Sequence, residues 1–259
     1  KNDKLLAEIL MVWGQRLYMT SDFTAGRLKM EKALEHAQLA GDLQLEADIL
    51  RNLGNIALDM EIGDLHVAAG YYRQSLEICR RIGDPLGEGG ALNNLGLISL
   101  YTDRFQEAIQ YFEENLQVSR QRGDLITESY SLSNMGIARA YTHEYLQGLQ
   151  NIQESMKIAH LTGSRQDEGV VYWSQGFLYM CVGNFTESQQ SFNRALSLLH
   201  DVSDRAAESR ALGDFSQLQL FQGHLNTCKK CCEQAMEISQ AVGLVDTQAY
   251  TLVTYGQAL

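Results

Sequence analysis

Small residues recur along this chain at an almost constant interval. Gly14, Gly54, Gly96, Gly136, Gly176 and Ser216 stand 40 residues apart, with one step of 42, and the series resumes at Gly256. Each closes a similar stretch: Met11-Val12-Trp13-Gly14, Arg51-Asn52-Leu53-Gly54, Asn93-Asn94-Leu95-Gly96, Ser133-Asn134-Met135-Gly136, Trp173-Ser174-Gln175-Gly176 and Gly213-Asp214-Phe215-Ser216. A fixed period of this size marks stacked repeats, in which each unit buries its face against its neighbours. That constrains the fold more tightly than length does. At 259 residues a single globular core would be near its upper size, a limit that a stack of repeats escapes.

Two helical patterns, A and B, fill each period. Residues 4–19 predict the first A helix, with Leu5, Leu6, Ile9, Leu10, Trp13 and Leu17 at helical spacing. Gly14 falls where a partner helix crosses closely. Helix B opens nine residues after each small residue, at Phe23, Phe105, Tyr145, Phe185 and Leu225. Leu65 comes two residues late, which places an insertion near Asp59-Met60-Glu61-Ile62. Three residues into B a small residue stands every time: Gly26, Ala68, Ala108, Gly148, Ser188, Cys228. Four further on a large one follows: Met30, Tyr72, Phe112, Ile152 and Phe192, with Cys232 departing. A second small position holds Ala33, Ser75, Ser155, Ala195 and Ala235, where Asn115 departs. Small against large at fixed positions lets two helices pack closely and reproducibly.

Between B and the next A lies a short break: Gly41-Asp42, Gly83-Asp84, Gly123-Asp124, Gly163-Ser164, Ser203-Asp204 and Gly243. Glycine supplies the left-handed residue that ends a helix, and Asp or Ser caps the next. Pro85, the sole proline, follows Asp84 at the first helical position, where a missing N–H costs nothing. Glu46, Glu88, Glu128, Glu168 and Glu208 recur one turn later, at the positive end of a helix dipole.

Charge narrows the partners. With 21 basic and 32 acidic residues, a net charge of −11 repels nucleic acid and anionic membrane. No run approaches the ~18 apolar residues of a membrane span. Five cysteines at irregular spacing argue against a secreted disulfide framework. Asn184-Phe185-Thr186 fits a glycosylation sequon by chance. The chain opens without Met or a signal peptide, so the expectation is a cytoplasmic segment of a longer protein.

The periodic small residue of helix A, followed by the small–large–small series of helix B, resembles the tetratricopeptide repeat. Glycine replaces the usual proline closing helix B, and the period is 40 instead of 34. That variant is similar to the repeats of kinesin light chain, rapsyn and the sensor regions of bacterial signal-transduction ATPases. The stretches ALNNLGLISLYTDRFQEAIQYFEENLQVSRQRGD and NLGNIALDM are especially close to the last class. The resemblance covers the whole chain. It implies an all-α, right-handed superhelix of six helical hairpins plus a trailing A helix, as one array over 1–259. The repeats run over about 3–41, 42–83, 84–123, 124–163, 164–203 and 204–243, with a partial repeat at 244–259.

The resemblance also implies that A helices line a concave groove, with the residues two and three before the small position facing it. Asn52, Asn94 and Asn134 then form a ladder that can hold the backbone of an extended peptide, since a carboxamide both donates and accepts. Arg51, Asn93 and Asn55 stand beside it in sequence. Tyr101, Tyr130, Tyr141, Trp173 and Phe177 add aromatic surface, either as recognition anchors or as packing between repeats. The competing reading of the asparagines is that they bond neighbouring helices. Positions six before the small residue carry no lysine, so a chaperone C-terminus fits poorly; Arg51 and Arg210 stand singly in the pattern and are each expected to be solvated or locally paired.

Three other features weigh less. Cys228, Cys231 and Cys232, with His224 one turn earlier, suggest a metal or redox site, but Cys228 and Cys232 occupy buried template positions and one helix cannot close a tetrahedral set. Gly87-Glu88-Gly89-Gly90 lacks the strand and lysine of a phosphate cradle and points instead to close approach by a helix or ligand. His36, His66, His143, His160 and His200 have no consistent acidic partner in the pattern, so no acid–base pair for catalysis emerges. The expectation is therefore a non-enzymatic scaffold for a protein or peptide ligand, with no cofactor and no bound metal, in the sensory part of a signalling protein. The alternatives are a packing module that self-associates through its uncapped end helices and, below that, a cysteine-based switch.

Overall fold

Helix ends fall where the period places them. The computed structural model describes residues 2–60 and 65–259. Thirteen helices alternate as A and B among the described residues. The A helices are α1 (Asn2–Met19), α3 (Leu43–Met60), α5 (Pro85–Tyr101), α7 (Leu125–Tyr141), α9 (Arg165–Cys181), α11 (Arg205–Phe221) and α13 (Val245–Gln257). The B helices are α2 (Phe23–Ala40), α4 (Leu65–Ile82), α6 (Phe105–Arg122), α8 (Tyr145–Thr162), α10 (Phe185–Asp201) and α12 (Leu225–Val242). All six B helices open on the residue that the spacing named; α1 begins two residues earlier than the apolar pattern indicated. Of the proposed insertion, Glu61 and Ile62 lie outside the described residues.

The capping chemistry explains this agreement. Gly41, Gly123, Gly163 and Gly243 adopt φ between 66° and 77° and close their helices. Ser203 takes the same left-handed geometry in place of glycine, with φ 59°. Side chains of Asp84, Asp124, Ser164 and Asp204 then accept from the opening amides of α5, α7, α9 and α11. The A-to-B turns carry a second left-handed series at Ser21, Asp103, His143, Gly183 and Gly223. Asp and His tolerate that region better than most residues.

The chain divides into two units, residues 1–123 and 124–259. In each, every A helix that is followed by a B helix touches it, and consecutive A helices touch one another. Successive B helices do not, among the described residues, so in each unit the A layer is the more closely spaced. The small residues make this possible. A Cβ built on Gly54 would lie 2.6 Å from the Tyr72 ring, and one on Gly96 would lie 2.5 Å from the Phe112 ring. In the second unit Gly136 meets Ile152 at 2.7 Å and Gly176 meets Phe192 at 3.0 Å in the same way. Tyr72, Phe112, Ile152 and Phe192 are wholly buried, each such side chain contributing on the order of 2–3 kcal/mol of apolar burial.

Candidate functional site

In the first unit the predicted groove residues largely hold one another. The Asn52 carboxamide donates to the Asp48 carbonyl of its own helix at 2.9 Å. Asn94 Nδ2 donates to Asn55 Oδ1 on the preceding A helix at 3.4 Å, and the Tyr72 hydroxyl donates to the same oxygen at 2.6 Å. Asn93 donates to Asn94 Oδ1 at 3.3 Å. Asn55 thus joins α3, α4 and α5 through one acceptor. Tyr101, at the end of α5, is exposed.

Arg51 is locally paired, as expected. Its Nη2 donates to Asp48 Oδ1 at 2.7 Å, and its side chain lies along the glycine face of α5. A Cβ on Gly90 would come within 3.3 Å of Arg51 Cδ, and one on Gly87 within 3.2 Å of Arg51 Nη1 and 2.5 Å of Cys79 Sγ. A Cβ on Gly89 would meet Asn115 Oδ1 at 3.0 Å. The run Gly87-Glu88-Gly89-Gly90 therefore clears space for Arg51, Cys79 and Asn115. The departure of Asn115 from the small-residue template and the glycine opposite it are one compensated pair. Burial opposes ionisation of Asp84, but bonds from Gln44 and from the Gly87 and Leu86 amides hold its carboxyl below the ordinary value.

The second unit uses different side chains. Tyr130 on α7 donates to Asp167 Oδ1 on α9 at 2.8 Å, and Ser133 donates to Ser174 at 2.7 Å across the same pair of helices. Burial and the bonded carboxylate push the Tyr130 hydroxyl up. Trp173 on α9 donates its Nε1–H to Asp214 Oδ2 on α11 at 2.7 Å. Tyr250 on α13 bonds the same carboxyl group. Tyr141 and Phe177 pack as tilted rings with centroids 5.3 Å apart. Asn134 is half-buried and makes no hydrogen bond to the described residues.

Several expectations need correction. His36 pairs with Asp3, His160 with Glu168 and His200 with Glu208, each at 2.9 Å. The last two share a spacing with Gln38–Glu46 and Arg80–Glu88, so the end of a B helix clips the glutamate opening the next A helix. Those glutamates serve a lateral bond as well as the helix dipole. Cys231 is buried along with Cys228 and Cys232, and burial raises the Cys228 thiol to about 12 and the Cys231 thiol to about 11. On the B side of the second unit, Leu196, His200, Arg205, Glu208, Glu237 and Ile238 line an open cleft of about 600 Å³. Its Glu208 is already bonded to both His200 and Arg205.

A sequence profile of the tetratricopeptide repeat matches residues 90–122, which spans α5 and α6. Solved structures extend the likeness to the whole chain. The apo form of RapI superposes with a TM-score of 0.72 at 10% identity, covering 97% of this chain and 96% of that one. The fold is that of a tetratricopeptide-repeat array. Aspartyl phosphate phosphatase F from Bacillus subtilis gives a TM-score of 0.77 at 13% identity, covering 94% of this chain and 62% of that one. A signal-transduction ATPase with a tetratricopeptide repeat sensor, from Pyrococcus horikoshii, gives 0.68 at 17% identity, covering 96% and 40%. A comparison with curated proteins by sequence gives no match.

Within this array, the sequence placed Trp173 and Tyr141 on the A layer and Asp214 at a groove-facing position, but did not join Asp214 and Tyr250 to the Trp173 cluster. A signal was present: Asp214 stands two residues before Ser216, in register with Asn52, Asn94 and Asn134. Tyr250, six before Gly256, is in register with Tyr130.

Proposed function

We propose that this array is a protein- or peptide-binding scaffold that reads its ligand on the A layer, as the sensory part of a larger cytoplasmic signalling protein without catalytic activity of its own. The observation that carries this reading is Asn134, a half-buried carboxamide with no hydrogen bond to the described residues, in register with Asn52 and Asn94. An amide left with both donor and acceptor capacity suits the backbone of an extended ligand. Two similar structures support the class of ligand: a Rap protein complexed with competence and sporulation factor, with a TM-score of 0.66 at 12% identity, and the sensor named above.

Affinity capture from host lysate, comparing wild type with Asn134→Leu, tests this. A partner identified by mass spectrometry on wild type and lost from the variant, with helicity unchanged, is the expected result. A partner held equally by both moves recognition off this face. One observation favours a second reading, self-association. Leu5, Ile9, Val12 and Trp13 of α1 and Leu252 and Val253 of α13 are about half exposed or more. Mass by light scattering that rises with concentration, and stops rising in Ile9→Lys, would favour it.

A further inference from the structure

The A layer of the second unit holds a carboxylate in an unusual setting. Asp214 is half-buried on α11, between α9 and α13. The groups that face it are neutral: the Trp173 indole from α9, the Tyr250 hydroxyl from α13, and the Cys181 thiol at the end of α9. No lysine, arginine or histidine pairs with it among the described residues. A desolvated carboxylate without a cation is costly to ionise, and burial raises Asp214 to about 6 despite the bonds from Trp173 and Tyr250. Around it stand aromatic faces. Tyr141 and Tyr250 keep 46% and 36% of their surface in solvent, and Tyr141 lies close enough to help raise the Tyr250 hydroxyl. Phe177 packs against Tyr141. The Trp173 N–H is committed to the carboxylate, and its ring packs against buried core residues.

We infer that Asp214, with the rings of Tyr141, Trp173 and Tyr250, forms a subsite for a basic side chain, arginine or lysine, of an extended peptide lying on the A layer. The carboxylate supplies the counter-charge and the ring faces supply cation–π attraction. This deepens the scaffold reading and rests on it. It also accounts for why no cation among the described residues pairs with Asp214: the ligand brings one. The two neutral donors hold the carboxyl group in place while the site is empty, so the site is ordered before binding.

The test uses Trp173 as its own reporter, in a Trp13→Phe background so that it is the sole tryptophan. The probes are acetylated, amidated alanine pentapeptides carrying arginine or norleucine at the centre, and an unacetylated norleucine peptide. A saturable fluorescence change with the arginine peptide is expected, weaker by about tenfold or more with norleucine. Binding should also weaken about tenfold from pH 7.5 to pH 5, as Asp214 takes up its proton. Asp214→Asn keeps an acceptor for Trp173 and Tyr250, so the fold is expected to survive, and it should remove the arginine preference. Tyr250→Phe should weaken binding while leaving that preference. Equal responses to arginine and norleucine, a preference that survives Asp214→Asn, or no response to arginine would each overturn the proposal. A response only to the free N-terminus would overturn the side-chain assignment. If the arginine preference is absent while a protein partner is still lost from Asn134→Leu, the subsite fails and the scaffold reading stands.

Discussion

The two units present the same helical layer with opposite surface chemistry. In residues 1–123 the A-layer groups are amides and an arginine, and most are bonded within the layer: Asn52 to its own helix, Asn94 to Asn55, Arg51 to Asp48. In residues 124–259 the corresponding positions carry Asn134, which has no bond to the described residues, and Asp214, which no cation among the described residues pairs with. The scaffold beneath is alike in both, since Gly54 and Gly96 seat Tyr72 and Phe112 as Gly136 and Gly176 seat Ile152 and Phe192. The difference teaches that packing sets the repeat, and the face is free to vary over it. The first unit spends its polar groups on bracing. The second leaves Asn134 without a bond to the described residues, as the recognition proposed for this face requires.

The largest expected effect strikes the shared scaffold. Gly96→Ala places a methyl group 2.5 Å from the wholly buried Phe112 ring and should destabilise the first unit by about 3 kcal/mol. Gly176→Ala, at 3.0 Å, should cost the second unit about 1 kcal/mol. Gly256→Ala meets nothing within 4 Å and should be neutral or slightly stabilising. Urea midpoints that rank these three otherwise would break the claim that one seating rule serves both units.

Next comes the pH dependence of the second unit. Asp214 is raised in the folded state, so folding favours its protonated form. The associated stability is full below about pH 4, its unfolded range, and is lost as pH rises through about 6. Asp214→Asn should remove this slope, worth on the order of 2 kcal/mol between pH 4 and pH 7. Parallel pH profiles for wild type and variant would show that the carboxyl group is not desolvated as described.

Smaller effects sharpen the contrast between bonded and unbonded amides. Tyr72→Phe removes the 2.6 Å bond to Asn55 from a buried ring and should cost about 1 kcal/mol. Asn134→Ala loses no bond to the described residues and should change stability by less than about 0.5 kcal/mol. A loss of 1 kcal/mol or more at Asn134 would assign it a structural role and weaken its place in recognition.

Much of the fold was legible because its signals are local. Glycine at 41, 123 or 163 ends a helix through its own φ, and Asp84 or Ser164 caps the next through amides two or three residues away. Pro85 starts a helix because it lacks an N–H. None of these needs a distant partner. The small–large pairing was legible for a second reason: it repeats every 40 residues, so six weak instances add to a clear pattern.

The site was less legible. Asn94 faces the amide ladder in register, yet whether its carboxamide is available depends on Asn55, 39 residues earlier. Arg51 stands singly in the pattern, which does not show that the bare face of Gly87 and Gly90 brings it across α5. Asp214 stands at a groove-facing position of the pattern, but that Trp173 and Tyr250 close on it from two other helices is not written there. The sequence by itself determined where each helix starts and stops and which residues seat the hairpins, since short-range backbone chemistry and a repeated period govern both. Only the tertiary structure decided which polar groups brace the A layer and which stay open. Those bonds join neighbouring A helices some 37 to 41 residues apart, and a hydrogen bond forms or fails over a few tenths of an ångström that spacing in sequence does not specify.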